Sequence, residues 1–134
     1  MRILALDWGQ VRVGAAVSDE SGKIAFPLEK FIESKNAIGE IKKIIDELKV
    51  EKILVGHPKS LSGSESQSSK QVSEFVANLK TEVQIPLEMF DERFSSVAAG
   101  KTLQEQGMPE KKQRKIKDNI AAQLMLQQYL DTKN

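Results

Sequence analysis

The first part of the chain alternates short apolar runs with polar, glycine-containing turns. Residues 3–7, 11–18 and 24–28 form three such runs, and Gly9 and Gly22 lie in the two turns between them. Runs of this length are typical of strands, and connections this short are typical of antiparallel neighbours. We therefore predict that the fold opens with a three-stranded antiparallel meander.

Helical and strand patterns alternate in the rest of the chain. Apolar residues recur every three or four positions in segments 38–48, 72–79 and 110–130, which predicts three amphipathic helices. The short apolar runs 52–56 and 86–90 predict a fourth and a fifth strand. Right-handed crossovers through the first two helices would place both strands parallel to the first one. The prediction is an α/β fold with a five-stranded mixed sheet, strand order 3-2-1-4-5, and helices on both faces.

Two connecting segments and the last helix carry more specific predictions. The Ser-rich stretch 59–69 predicts a loop, and Ser95 or Ser96 would cap a short helix that closes near Gly107. The last helix has an apolar stripe that we expect to pack on the sheet: Ile116, Ile120, Leu124 and Gln127.

Composition limits the kinds of protein this chain can be. Its 134 residues are 40% apolar and 29% charged, which is ordinary for a globular protein and sufficient for one domain, residues 1–134. There is no cysteine, so disulfides and thiolate metal sites are excluded. The apolar runs are too short to span a membrane, and Met1 leads directly into a strand without space for a signal peptide. We therefore expect a cytoplasmic protein.

Carboxylates end two of the predicted strands. Asp7 closes the first strand, and Asp91 with Glu92 follows the fifth. Because the parallel strands would end at one edge of the sheet, where α/β folds place their sites, we expect these acids to line one cleft. Two alternatives stay open: Asp7 as a turn or capping residue, and Asp91 as a turn residue paired with Arg93.

Asp118 is a further candidate acid, on the last predicted helix. Ala121 and Ala122 follow it by three and four positions, on the same helix face. Small side chains there would let the helix lie close to the sheet and bring this carboxylate toward Asp7. The alternative is a solvated helix residue.

Basic residues supply candidate contacts to nucleic acid. The net charge is only +1, so any affinity for a polyanion must come from a local patch. The candidate phosphate contacts are Arg12, Lys59, Arg93, Lys111, Lys112, Arg114 and Lys115. The last four directly precede Asp118, although such a run can also be a solvated helix face. The one histidine, His57, directly follows the fourth predicted strand. For this residue, a loop position without a functional role is favoured over a role in proton transfer.

Several short motifs occur in a characteristic order along nearly the whole chain. They are Leu6-Asp7-Trp8-Gly9, Arg12, Gly14, Ser18-Asp19, Val55-Gly56-His57-Pro58, Gly63, Asp91-Glu92-Arg93-Phe94-Ser95-Ser96 and Asp118-Asn119-Ile120-Ala121-Ala122. In these motifs the chain resembles the YqgF family, also called RuvX, whose members are described as Holliday junction resolvases and as pre-16S ribosomal RNA nucleases. The triplet Asp91-Glu92-Arg93 is the most distinctive part of the resemblance.

The resemblance implies a ribonuclease H-like fold and a metal-dependent nuclease in ribosome biogenesis, acting on the 5′ end of pre-16S rRNA. It implies catalytic roles for Asp7, Asp91, Glu92 and Asp118, with Mg²⁺ or Mn²⁺ held by Asp7, Glu92 and Asp118; which of Asp91 and Glu92 faces the metal stays open. Such an ion prefers hard oxygen ligands, which carboxylates provide. Related resolvases carry a carboxylate near the end of the fourth strand, and this chain has none, so binding of the metal can depend on substrate. The expected partner is structured RNA or branched DNA, and both a monomer and a homodimer stay open.

Three other functions compete with this one. A Holliday junction or branched-DNA resolvase would use the same acids. A non-catalytic ribosome assembly factor on a nuclease fold is favoured by the missing fourth-strand carboxylate. An actin-like ATPase also begins with Asp-x-Gly, but that class needs two such lobes and further glycines to cradle phosphate, which this chain lacks.

Overall fold

The structure, a computed structural model, describes residues 1–9, 11–30, 32–57, 67–91 and 110–133. Within these ranges, side chains are described except at residues 57, 67–69, 91, 110–118 and 133. The predicted short helix near residues 95–107 and most of the predicted loop, residues 59–66, lie outside the described residues.

The strands of the described residues form one mixed sheet. They are β1 (Ile3–Asp7), β2 (Arg12–Ser18), β3 (Ala25–Pro27), β4 (Ile32–Glu33), β5 (Lys52–His57) and β6 (Leu87–Asp91). The sheet order is β3-β2-β1-β5-β6, with β4 paired to the start of β2. β1 and β2 are antiparallel, whereas β1, β5 and β6 are mutually parallel. The predicted five-strand order is confirmed, and β4 is an addition.

In the part of the chain that the structure describes, three α-helices flank this sheet: α1 (Ala37–Leu48), α2 (Gln67–Glu82) and α3 (Glu110–Lys133). A 3₁₀ turn, Ser34–Asn36, leads into α1. After the last helical residue, Leu48, Lys49 caps the helix in the left-handed conformation with φ 57°. The predicted loop 59–69 was too long at its end, because α2 already begins at Gln67. Within the described residues, no helix has the length and apolar character needed to cross a membrane.

The sheet separates two hydrophobic cores. Leu4 and Leu6 of β1 pack with α1 and α2 on one face, whereas Ile3 and Ala5 pack with α3 on the other. Strand side chains alternate between faces, so every apolar position of β1 is used. Burying each leucine stabilises the fold by roughly 1.5–3 kcal/mol. The burial of this strand thereby fixes its register and the face on which its last residue lies.

The face that α3 presents to the sheet differs from the predicted stripe. Among its described side chains, residues 119–132, the buried ones are Asn119, Ile120, Ala121, Ala122, Met125, Leu126, Tyr129 and Leu130. Of the predicted stripe, Ile120 is confirmed, Leu124 and Gln127 are only partly buried, and Ile116 has no described side chain. The prediction of Gln127 as a core position was wrong, because its amide lies beside β3. There Oε1 accepts a hydrogen bond from Ala25 N (3.0 Å) and Nε2 donates one to Lys23 O (3.0 Å).

Candidate active site

The carboxyl ends of three strands meet at one edge of the sheet. Leu6 of β1 is level with Val55 of β5, and His57 of β5 is level with Asp91 of β6. The backbones of Asp7, His57 and Asp91 therefore share this edge, as predicted from the crossovers. We call it the Asp7 edge.

Asp7 lies on the α3 face of the sheet. Side-chain alternation places it with Ile3 and Ala5, which pack against α3. Its neighbour across the antiparallel pair is Gly14, which has no side chain to cover it. Asp7 is partly exposed, so its carboxylate meets both the helix side of the sheet and solvent. This is a suitable position for an acid that contacts a ligand.

Trp8 points to the opposite face of the sheet. Its ring stacks on Phe75 of α2, with ring centroids 4.6 Å apart and an interplanar angle of 25°. Its buried Nε1 has no hydrogen-bond partner among the described residues. The indole therefore belongs to the core under α2 and not to the surface beside Asp7.

The turn after Asp7 is held by backbone contacts. A Cβ on Gly9 would approach Arg12 O to 2.5 Å, so the turn requires glycine at this position. The Ser34 hydroxyl donates to Gly9 O, and Ser34 N donates to Val11 O (3.0 Å). Arg12 follows as the first residue of β2 and is exposed at the Asp7 edge. The predicted phosphate contact is thus accessible to a ligand at this edge.

Asn119 fixes the position of α3 against the sheet. It is fully buried, its Oδ1 accepts from Ala15 N (2.9 Å), and its Nδ2 donates to Leu28 O (2.7 Å) and Lys30 O (3.2 Å). Ala15 follows the residue paired with Asp7. Farther along, α3 reaches the opposite edge of the sheet at Lys52. The backbone of Asp118, one position before Asn119, therefore lies toward the Asp7 edge.

The remaining predicted site residues are described in part or not at all. The backbone is described at Asp91 and Asp118 and at four basic residues of α3: Lys111, Lys112, Arg114 and Lys115. Lys59, Glu92 and Arg93 lie outside the described residues. Among the side chains that are described, no group of three or more acids and histidines could hold a metal ion. Asp7 offers carboxylate oxygens, which fit a hard divalent cation, and a complete ligand set needs the other acids.

A second polar network, not predicted from the sequence, holds the far end of α3. Lys52 Nζ lies 2.6 Å from Tyr129 OH and 2.8 Å from Glu88 Oε2, and Tyr129 OH donates to the same carboxylate oxygen at 2.6 Å. The hydrogen bond to Glu88, followed by that to Tyr129, raises the pKa of Lys52 above its ordinary value. This network anchors the helix at the sheet edge opposite Asp7. The one signal in the sequence is the polar Glu88 within an apolar strand.

A groove of about 850 Å³ lies on the other face of the sheet. It runs between α1 and α2 and is lined in part by Trp8, Lys43, Gln71 and Phe75. Of the predicted site residues whose side chains are described, Asp7 and Arg12, neither lines this groove.

Comparisons with known proteins identify the family. The sequence model described as RuvX: Holliday junction resolvase matches residues 1–132. A relative from Clostridium tetani (strain Massachusetts / E88) is 42% identical over 134 residues, covering 98% of this chain and 97% of the relative. A relative from Clostridium novyi (strain NT) is 40% identical, covering 98% and 99%. The chain belongs to the RuvX family. Both relatives are provisionally named pre-16S rRNA nuclease.

Membership in the RuvX family confirms the predicted family and the predicted enzyme class, a nuclease that hydrolyses phosphodiester bonds. Solved structures confirm the fold of this RuvX chain. RuvC of T. thermophilus in complex with a Holliday junction substrate matches with a TM-score of 0.60 at 14% identity, covering 99% of this chain and 95% of RuvC. The fowlpox virus Holliday junction resolvase matches with a TM-score of 0.60 at 12% identity, covering both chains completely. The predicted ribonuclease H-like class is therefore correct.

Proposed function

We propose that this RuvX chain is a cytoplasmic, metal-dependent nuclease that processes the 5′ end of pre-16S rRNA. The observation that carries the proposal is the position of Asp7, at the meeting of three strand ends and on the sheet face covered by α3. The RNA substrate is suggested by relatives of about 40% identity that share this chain's whole length and bear that provisional name.

The metal ligands in this proposal are Asp7, Glu92 and Asp118. Glu88 and Phe90 of β6 both lie on the α3 face, since each contacts Tyr129 of α3. If the alternation of β6 continued past its last residue, an even-numbered position would lie on this face, and we therefore propose Glu92 as the ligand and a supporting role for Asp91. A bound Mg²⁺ or Mn²⁺ would supply an activated water and charge stabilisation at the phosphate.

The chain's basic residues would hold the nucleic-acid backbone across these acids. Arg12 is exposed at the Asp7 edge, and the basic run of α3 lies on the N-terminal side of Asp118. We propose that Arg12 and this run bind phosphates on either side of the cleaved bond, with Lys59 and Arg93 as further contacts. Such contacts position a backbone without reading its sequence.

Two alternatives have observations of their own. Branched DNA as the substrate is favoured by the family description and by the junction-bound T. thermophilus RuvC, which shares the fold. A non-catalytic role in ribosome assembly is favoured by Gly56. This residue is paired with Phe90 and lies one position beyond the Leu6–Val55 level, so β5 offers no carboxylate in the row of Asp7.

The test compares Asp7→Asn with the parent on two substrates, a pre-16S 5′ leader RNA and a four-way DNA junction, in Mg²⁺ and in Mn²⁺. We expect the variant to lose cleavage by more than about 100-fold, because loss of residues that merely support a metal ligand costs about 10- to 100-fold. Asp46→Asn, an exposed carboxylate of α1, is the matched control and should keep full activity.

The outcomes separate the alternatives. Preferential cleavage of the leader RNA supports the proposal, and preferential cleavage of the junction supports the resolvase. A fully active Asp7→Asn variant would show that any catalytic metal is held elsewhere. A purified parent that binds RNA but cleaves neither substrate would favour the assembly factor.

A further inference from the structure

We infer that Asn119 is a positioning residue for the metal site, because its side-chain amide takes the place of one backbone hydrogen bond of the sheet near the Asp7 edge. The inference rests on the proposed function, since it concerns the placement of Asp118 relative to Asp7. The residue itself would touch neither metal nor substrate; it acts through the helix that carries Asp118.

The replaced hydrogen bond lies between β2 and the segment that follows β3. Leu28 N donates to Ala15 O at 3.0 Å, which is one half of an antiparallel pair. The other half would be a bond from Ala15 N to Leu28 O. Instead, Ala15 N donates to Asn119 Oδ1 at 2.9 Å, and Asn119 Nδ2 donates to Leu28 O at 2.7 Å. The side-chain amide thus sits between the two strands as an inserted peptide group.

The chemistry of this position selects an amide. The group must accept one hydrogen bond and donate others, because Nδ2 also donates to Lys30 O at 3.2 Å. An ionised Asp cannot donate, and a Gln carries its amide one methylene farther from the helix. An apolar residue would leave the backbone groups of Ala15 and Leu28 unpaired at a site where Asn119 is 0% exposed.

The insertion ties together the elements that shape the site. Ala15 lies beside Gly14, the partner of Asp7 in the antiparallel pair. The segment after Leu28 continues into β4 and then to Ser34, which binds the Gly9 turn directly after Asp7. One side chain of α3 is therefore linked to both sides of Asp7, at the position next to Asp118. Removing its amide should let the start of α3 shift relative to Asp7.

A matched control exists on the same helix. The Gln127 amide also accepts from a strand N–H and donates to a strand carbonyl, at Ala25 and Lys23. It lies two turns farther along α3, away from the Asp7 edge. Asn119→Leu and Gln127→Met both remove such an amide while keeping a similar side-chain volume. If Asn119 contributed only to stability, Asn119→Leu and Gln127→Met would have the same Mn²⁺ affinity.

The experiment measures Mn²⁺ affinity without substrate, by titration of the electron paramagnetic resonance signal of free Mn²⁺, which is lost when the ion binds. The Mn²⁺ concentration for half-maximal cleavage of leader RNA is measured beside it. Asn119→Leu should lower the Mn²⁺ affinity, and raise the Mn²⁺ concentration needed for half-maximal cleavage, by about 10- to 100-fold. Gln127→Met should stay within about twofold of the parent in both quantities. Asn119→Ser keeps a donor and an acceptor on a smaller side chain. It guards against misfolding of the leucine variant and should give an intermediate loss.

The results distinguish the inference from the function on which it rests. If Asn119→Leu and Asn119→Ser match Gln127→Met in Mn²⁺ affinity, Asn119 is structural and the inference is overturned. If the parent neither binds Mn²⁺ nor requires a divalent ion for cleavage, the proposed metal site is wrong, and the inference falls with it. Weakening confined to the Asn119 variants supports both.

Discussion

Replacing Tyr129 with Phe tests how the far end of α3 is held. The substitution removes one oxygen from the network with Lys52 and Glu88 and leaves the ring in place. Its edge-to-face contact with Phe90, with centroids 6.1 Å apart, should persist. The change therefore isolates the hydroxyl, which lies 2.6 Å from both charged partners.

The magnitude follows from these contacts and their exposure. A hydrogen bond to a charged group contributes about 1.5–3 kcal/mol, so two would give at most about 3–6 kcal/mol. The Lys52 and Glu88 side chains are 23% and 43% exposed and remain 2.8 Å apart without the hydroxyl, so water and their own ion pair offset much of the loss. We expect a decrease of about 1–2 kcal/mol in the free energy of unfolding.

The assay is urea denaturation followed by Trp8 fluorescence, with thermal unfolding beside it. An unfolding entropy of about 2.1 cal/mol/K per residue gives about 0.28 kcal/mol/K for 134 residues, so Tm should fall by about 4–7 °C. Mn²⁺ affinity should be unchanged, because this network lies at the edge opposite Asp7. A loss below about 0.5 kcal/mol would show that packing alone holds this end of the helix.

The pH dependence of the same variant has a defined sign. In the folded protein, the hydrogen bond to Glu88 and, to a smaller extent, that to Tyr129 raise the pKa of Lys52. The stability that protonated Lys52 contributes is therefore fully present below the ordinary lysine pKa of 10.5. It is lost as pH rises through the raised pKa. The difference in the free energy of unfolding between the parent and Tyr129→Phe should therefore be constant between about pH 6 and 9. It should decrease only above the ordinary lysine pKa. A gap that closes near neutral pH would contradict the role of Lys52.

Two further predictions concern the turn after β2 and the basic run of α3. A hydrogen bond from the Ser21 hydroxyl and, to a smaller extent, those from the Ile24 and Lys23 N–H groups lower the pKa of Asp19. The ionised carboxylate therefore stabilises the fold fully above its ordinary pKa of 3.8, and this contribution is lost as pH falls toward the lowered pKa. Asp19→Asn should therefore be less stable than the parent at pH 7, with the gap shrinking in denaturation curves toward pH 2. Replacing the lysines of the basic run (Lys111, Lys112 and Lys115) by Ala should flatten the log–log dependence of RNA affinity on salt by about one unit for each phosphate that these lysines bind in the parent. An unchanged slope in binding titrations would mean that the run is only a solvated helix face.

The sequence by itself determined the order of the sheet and the edge that carries Asp7. Strand and helix periodicities are local properties of the chain, and the handedness of crossovers leaves few ways to connect them. Asp7 follows a run buried on both faces, so its place at a strand end could be read directly from residues 3–7. The motifs around Asp7, Asp91 and Asp118 were sufficient to indicate the family.

Only the tertiary structure decided the contacts between distant segments. β4 is two residues long and has no apolar run of its own; it exists because it pairs with Arg12 and Val13. The buried face of α3 depends on where the helix meets β2 and β3, which periodicity does not specify. Asn119 and Ala15 are 104 positions apart, and Lys52 and Tyr129 are 77 apart. A polar residue in a buried helix face is stable only if its partners are in place, and those partners are set by packing of the whole chain rather than by its local pattern.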